Sequence, residues 1–171
     1  MVADERAGFE AYLRSRMQRL CSGGMPLIES PFDHLLELTA KMKDTLAVIG
    51  TPRISSPLAQ NDLPSSLLHS VEHRFSLDSW PLYDFIVCES PVGYAWGHRF
   101  ARKPGEAVPP IRTIADLSQW SHTVSEINDA VGTAADAEGW AEWTTGTYGI
   151  GDSRVRLCFV FDLLQSVTVQ V

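Results

Sequence analysis

Three residue classes are scarce in this chain, and each scarcity excludes something. Cysteine occurs three times in 171 residues, at Cys21, Cys88 and Cys158. An odd, widely spaced set with no C-x-x-C pair gives neither a disulfide framework nor a zinc-finger spacing. The expectation is therefore buried thiols acting as small hydrophobes. Long apolar runs are also missing. None approaches the roughly 20 residues of a membrane helix, and the N-terminal stretch has no core of signal-peptide type. With the cysteine usage, this points to a soluble protein in a reducing, cytoplasmic setting that does not act on membranes.

The third scarcity is of basic residues in one region. The chain has 14 Lys and Arg against 21 Asp and Glu, a formal net charge of −7. Residues 104–153 hold eight acids (Glu106, Asp116, Glu126, Asp129, Asp136, Glu138, Glu142, Asp152) and one base, Arg112. The rest of the chain is balanced. Direct nucleic-acid binding is disfavoured, because neutralising phosphates needs clustered Lys and Arg. The one dense basic cluster, Arg14, Arg16 and Arg19, is offset by Asp4, Glu5 and Glu10. A segregated acidic face keeps a protein soluble, and it can also steer a basic partner.

What is present is an ordinary globular composition, 44% hydrophobic and 20% charged, at a length that fits one domain over residues 1–171. Phe9, Tyr12, Leu13, Met17 and Leu20 recur at helical spacing over residues 4–21, and Gly23-Gly24 stops that helix. A second helix is expected over residues 30–50, with Ser30 as cap, Pro31 in its first turn and Gly50 at its end. A third, short helix is expected over residues 66–75, burying Leu67, Leu68, Val71 and Phe75. From Leu82 the period becomes two. Residues 82–89 and 94–102 read as a hairpin through Ser90-Pro91-Val92-Gly93. A mid-chain helix is expected after Thr113, with Asp116 at the capping-box position and Leu117, Trp120, Val124, Ile127 and Val131 as its stripe. Strands follow over residues 140–148, 154–162 and 167–171. The fold class is α+β: an antiparallel sheet of about five strands, packed on one face by three N-terminal helices and one mid-chain helix.

Candidate sites follow from spacing. His69-Ser-Val-Glu72-His73 matches H-x-x-E-H, in which two helical histidines grip zinc and the glutamate activates water. On the expected helix, however, His69 and His73 fall opposite the apolar side. They would then face solvent, and no cofactor is expected; zinc at this pair is the alternative. Tyr94, Trp96, His98 and Phe100 alternate on one strand and share a face, which either lines a small-molecule pocket or forms core. His122 and Glu126 stand four apart, a surface pair on the outer side of the mid-chain helix. Gly146–Gly151 is glycine-rich but leads into a strand, so it reads as a turn and not a phosphate cradle. Trp140 and Trp143, three apart in an extended strand, point to opposite faces. One of them beside Glu138 and Glu142 would anchor an interface.

These signals favour a non-catalytic protein-binding domain of adaptor, chaperone, inhibitor or immunity type, with a basic protein partner. The interface candidates are Glu126, Asp129, Glu138, Trp140, Glu142 and Trp143. The alternatives are a small enzyme or small-molecule binder over Tyr94, Trp96 and His98, and a zinc hydrolase through His69, Glu72 and His73.

Overall fold

The computed structural model describes residues 2–21, 40, 71–89, 95–140 and 142–170. The expected helix over residues 30–50 and residue Tyr94 lie outside them. The described elements are α1 (Val2–Cys21), β1 (Val71–Ser76), β2 (Tyr83–Glu89), β3 (Ala95–Arg102), a 3₁₀ turn at Ile114–Asp116, α2 (Val124–Val131), β4 (Glu138–Trp140), β5 (Trp143–Ile150), β6 (Ser153–Val160) and β7 (Leu163–Gln170). The chain is mixed α and β, with a sheet of order β1-β2-β3 and a second of order β4-β5-β6-β7. Two sheets replace the single one expected. No described helix is long and apolar enough to cross a membrane.

The described residues fall into two compact units. The first contains residues 2–14 and those described within 71–98. Its strands β1 and β2 pair antiparallel, with Phe75 opposite Phe85 and His73 opposite Val87. Residues 71–76 are thus extended, where a helix over 66–75 was expected. The reason lies in Val71 and Phe75, which fit a helical stripe at a spacing of four and equally alternate, with His73 between them, on one face of a strand. On one face Phe9 of α1 meets Phe75 and Phe85 at ring distances of 6.3 and 5.8 Å. Each such buried ring is worth roughly 1.5–3 kcal/mol.

The turn between β1 and β2 is clamped by the same helix. The Glu10 carboxylate accepts from the Asp78 amide at 2.8 Å, from the Ser79 amide at 3.1 Å and from the Ser79 hydroxyl. Arg14 donates to that hydroxyl at 2.6 Å and lies over the Trp80 ring at 5.7 Å. The buried carboxylate is tolerated because several donors converge on it.

The second unit contains residues 15–21 and those described within 99–170. Its four strands form a meander in which Tyr148 faces Val155 and Leu157 faces Val167. Alternation puts Tyr148, Ile150, Val155, Leu157, Phe159 and Leu164 on one face, where Ile127 of α2 and Leu117 close the core. The hairpin expected through 149–153 turns at Gly151 (φ +58°), between Ile150 and Ser153. The terminal strand starts at Leu163, four residues before its expected start.

The mid-chain helix is shorter than its stripe suggests. Asp116 does take the amides of Arg112 and Thr113, at 2.9 and 2.8 Å. The turn it caps ends at once, and Trp120 sits at φ +66°, which no helix accepts. A second capping box, Thr123 with Glu126, starts α2, and Gly132 ends it at φ +89°.

The cysteine expectation is corrected. Cys21, at the end of α1, is bonded to Cys158 of β6, with Cα atoms 6.6 Å apart across a sequence separation of 137. Only Cys88 is a buried free thiol among the described cysteines.

Two glycines test the backbone reading. A Cβ at Gly8 or at Gly132 meets nothing within 4 Å, so conformation alone decides the outcome. Gly8→Ala, inside α1, should stabilise by about 0.5–1 kcal/mol. Gly132→Ala, at φ +89°, should cost about 1–2 kcal/mol. Urea melts of the two variants should move in opposite directions.

Candidate functional site

Among the described residues, one dense polar constellation lies in the second unit, where β3 ends and α2 begins. Glu126 is at its centre. Arg102 Nε donates to its Oε1 at 2.6 Å and Arg102 Nη2 to its Oε2 at 3.0 Å, a two-pronged pair. The side chains keep only 7% and 11% of their surface exposed. Arg102 Nη2 also donates to the Ser121 carbonyl at 2.9 Å. The Thr123 amide donates to Glu126 Oε2 at 2.8 Å, and the Glu126 amide returns a longer bond to the Thr123 hydroxyl at 3.4 Å. Burial by itself raises the Glu126 carboxyl. The Arg102 hydrogen bonds, the Thr123 amide and the Arg102 charge outweigh it and hold the carboxyl below its ordinary range.

Beside this pair is a cleft of about 410 Å³. Arg99, Phe100, Ser125, Asn128 and Asp162 line it with Arg102 and Glu126. Its volume falls within the range of small-ligand pockets, roughly 300–1,000 Å³. Arg99, Ser125, Asn128 and Asp162 add polar side chains to the same lining.

The sequence-derived candidates scatter. Among the interface residues, Glu142 is buried and receives Arg16 Nε at 2.7 Å. Glu138 is exposed and accepts from Arg156 at 3.1 Å. Asp129 is exposed on α2. Trp140 and Trp143 are not in one strand: β4 ends at the first, β5 begins at the second, and they stand opposite each other across the hairpin. Trp143 is half-buried.

Of the aromatic face, Trp96 and His98 lie on β3, and the His98 ring is 6.3 Å from Phe85. His98 is half-buried and Phe100 fully buried. His69 lies outside the described residues. Glu72 and His73 are neighbours on β1, so they point to opposite faces of a strand, where a helix was expected. Both are buried, where His73 was expected to face solvent. His73 Nε2 meets Glu89 Oε2 at 2.6 Å, and Glu72 accepts from Arg74 at 3.4 Å. No group of three or more metal-ligating side chains occurs among the described residues.

His122 is also corrected. It precedes α2, is fully buried, and contacts the Pro109 carbonyl through Nε2 at 2.9 Å and the Ser121 hydroxyl through Nδ1 at 2.8 Å. Arg102 is absent from the sequence-derived candidates. A lone arginine at a strand end carries no spacing signal, although Thr123-x-x-Glu126 marks the cap it completes. No protein-family model, curated protein or solved structure matches the chain.

The Glu126 carboxyl makes stability depend on pH. Its folded-state value lies below the unfolded one. Its stabilisation is therefore present above the unfolded value, about 4.3, and is lost as pH falls through the folded one. Glu126→Ala should cost about 3 kcal/mol at neutral pH, since it leaves a buried arginine without its carboxylate. It should also flatten the fall in melting temperature below about pH 4.5. Calorimetry from pH 3 to 7 on both proteins checks this.

Proposed function

We propose that this chain is a non-catalytic protein-binding domain that recognises a basic partner through acids in residues 104–153. The observation that carries this reading is the division of those acids into two sets. Glu126 pairs with Arg102, Glu142 with Arg16, and Asp136 and Glu138 with Arg156. Asp116 holds its own turn, and the Arg112 and Thr113 amides keep its carboxyl below the usual range. Asp136 is held low in the same way by the hydroxyl and amide of Thr147. Glu106, Asp129 and Asp152 are exposed and serve no such role in the described contacts. They are the acids left to meet a partner.

The triple variant Glu106→Gln, Asp129→Asn, Asp152→Asn tests this. Binding to an arrayed library of basic peptides should occur with the wild type at low salt and weaken at 500 mM salt. It should fall at least tenfold in the variant. Equal binding by both proteins would sink the acidic-surface reading.

A second reading is favoured by the cleft. A small polar ligand could sit against Arg99, Ser125, Asn128 and Asp162 in the space of about 410 Å³. Ser125→Phe should fill that space and abolish any melting-temperature rise that a metabolite library produces with the wild type. A rise that persists in the variant places the ligand elsewhere.

The compartment belongs to this proposal too. Cysteine number alone suggests the cytoplasm. A formed Cys21–Cys158 bridge supports an oxidising compartment instead.

A further inference from the structure

We infer that His122 is a proton-operated switch: proton uptake at its Nδ1 turns the Ser121 hydroxyl from the histidine ring to the Ser118 carbonyl and braces the turn that carries Trp120. His122 is fully buried in the second unit, and both of its ring nitrogens have a partner. Nε2 lies 2.9 Å from the Pro109 carbonyl, which can only accept, so Nε2 carries a hydrogen. In the neutral ring Nδ1 is then bare and accepts. The Ser121 hydroxyl lies 2.8 Å from it and is its donor.

That hydroxyl has two claims on it. It also lies 2.7 Å from the Ser118 carbonyl, and the Ser118 amide donates to its oxygen at 3.1 Å. A hydroxyl has one hydrogen and cannot serve both Nδ1 and the carbonyl. With a neutral ring the hydrogen points to Nδ1, and the carbonyl keeps the Ser121 amide at 3.1 Å. With a protonated ring Nδ1 donates to the hydroxyl oxygen, and the hydrogen goes to the carbonyl. All the contacts of the hydroxyl are then bonds at once. The proton comes from solvent. Ser118 is exposed and Ser121 half-buried, so the outer end of this relay is in water.

The ionisable groups on the elements bonded to this segment are Arg99 and Arg102 of β3, Lys103 and Glu106 after it, Glu126 and Asp129 of α2, and Asp162 of the β6–β7 turn. Glu106, Asp129 and Asp162 are exposed, where water and salt screen their charge. Arg102 donates to the Ser121 carbonyl at 2.9 Å and opposes a charge on the ring. Glu126 favours one. Burial raises its carboxyl, while the Arg102 bonds, the Thr123 amide, the Arg102 charge and lastly the His122 charge lower it.

The turn has strain to hold. Trp120 sits at φ +66°, a conformation that costs any residue with a side chain free energy. Its amide donates to the Leu164 carbonyl at 2.8 Å and its indole Nε1 to Gln165 Oε1 at 3.1 Å. When the ring is charged, the Ser121 hydroxyl closes the Ser118–Ser121 turn around it a second time. Thr123, next after His122, caps α2 and lines the cleft. Acid therefore tightens, and rising pH loosens, the segment that leads into the candidate ligand site.

Ring-nitrogen NMR of the full chain from about pH 5 to pH 9 brackets the ordinary histidine range near 6.5. The His122 signals are those lost in His122→Gln. At pH 9 Nε2 should carry the hydrogen and Nδ1 none, and toward pH 5 both should carry one. The carbon shift of the Ser118 carbonyl should move with the same midpoint. Protection of the Ser121 amide, corrected for the pH dependence of unprotected exchange, should rise at least threefold in acid. Ser121→Ala should abolish the carbonyl movement, and Ser121→Thr, which keeps a hydroxyl, should retain it. Slow amide exchange at Val155 and Leu157 reports that each variant is folded, and the wild-type titration decides even if Ser121→Ala is not. The proposal fails if the His122 ring keeps one protonation state across the range, if Nδ1 carries the hydrogen at pH 9, or if the Ser118 carbonyl moves equally in Ser121→Ala.

Discussion

The second unit depends on the carboxylate of Glu126. Its two oxygens bind Arg102 at the end of β3 and the Thr123 amide at the start of α2. Arg102 extends the junction to the Ser121 carbonyl. From there the backbone is stitched to β7. The Trp120 amide donates to the Leu164 carbonyl at 2.8 Å, and the Leu164 amide to the His122 carbonyl at 2.9 Å. The Val124 amide donates to the Asp162 carbonyl at 2.9 Å. Strand end, helix start and hairpin turn thus share one set of bonds. A buried charge pair is a poor source of net stability, because desolvation offsets its attraction. Its value here is geometric, since a two-pronged arginine fixes both the angle and the register of what it joins.

The same pair changes the meaning of the acidic stretch. Counted along the chain, residues 104–153 are eight acids against one base. Counted in space, arginines from outside that window reach four of those acids: Arg16, Arg102 and Arg156. The excess is real, but its local density is not what the sequence window suggests. Charge on a surface follows from folding, and a linear tally measures only the supply.

Legibility tracks how local the determinant is. The neighbouring strands β2 and β3, the alternation of β6 and the Thr113-x-x-Asp116 signal are contained in a few residues each, and all three form. The length of α2 is not legible, because the stripe Leu117, Trp120, Val124, Ile127 and Val131 fits one longer helix. The backbone instead breaks at Trp120, and the bonds to β7 that hold the break come from about 40 residues away. The strand at 71–76 is hidden for a related reason. With Glu72, His73 and Phe75 all buried, both faces are covered and neither period stands out. The Cys21–Cys158 bridge leaves no mark in the sequence at all, since pairing across a separation of 137 has no spacing pattern.

The β6–β7 turn shows why a local rule gives way. Phe161 and Asp162 both adopt positive φ, +52° and +63°. A two-residue hairpin turn of that kind prefers Asn-Gly. An L-residue there costs roughly 1–2 kcal/mol. Phe161, however, is fully buried, and its ring gains roughly 1.5–3 kcal/mol by leaving water. Its amide donates to the Glu142 carbonyl and its carbonyl accepts from the Phe100 amide, both at 2.7 Å. Glycine would relieve the strain and lose the ring, so burial of the ring decides which residue stands here. Those two bonds bring β3 and the start of β5 to the turn, and Asp162 beside it lines the cleft. The strained backbone and the candidate site are therefore built on the same turn.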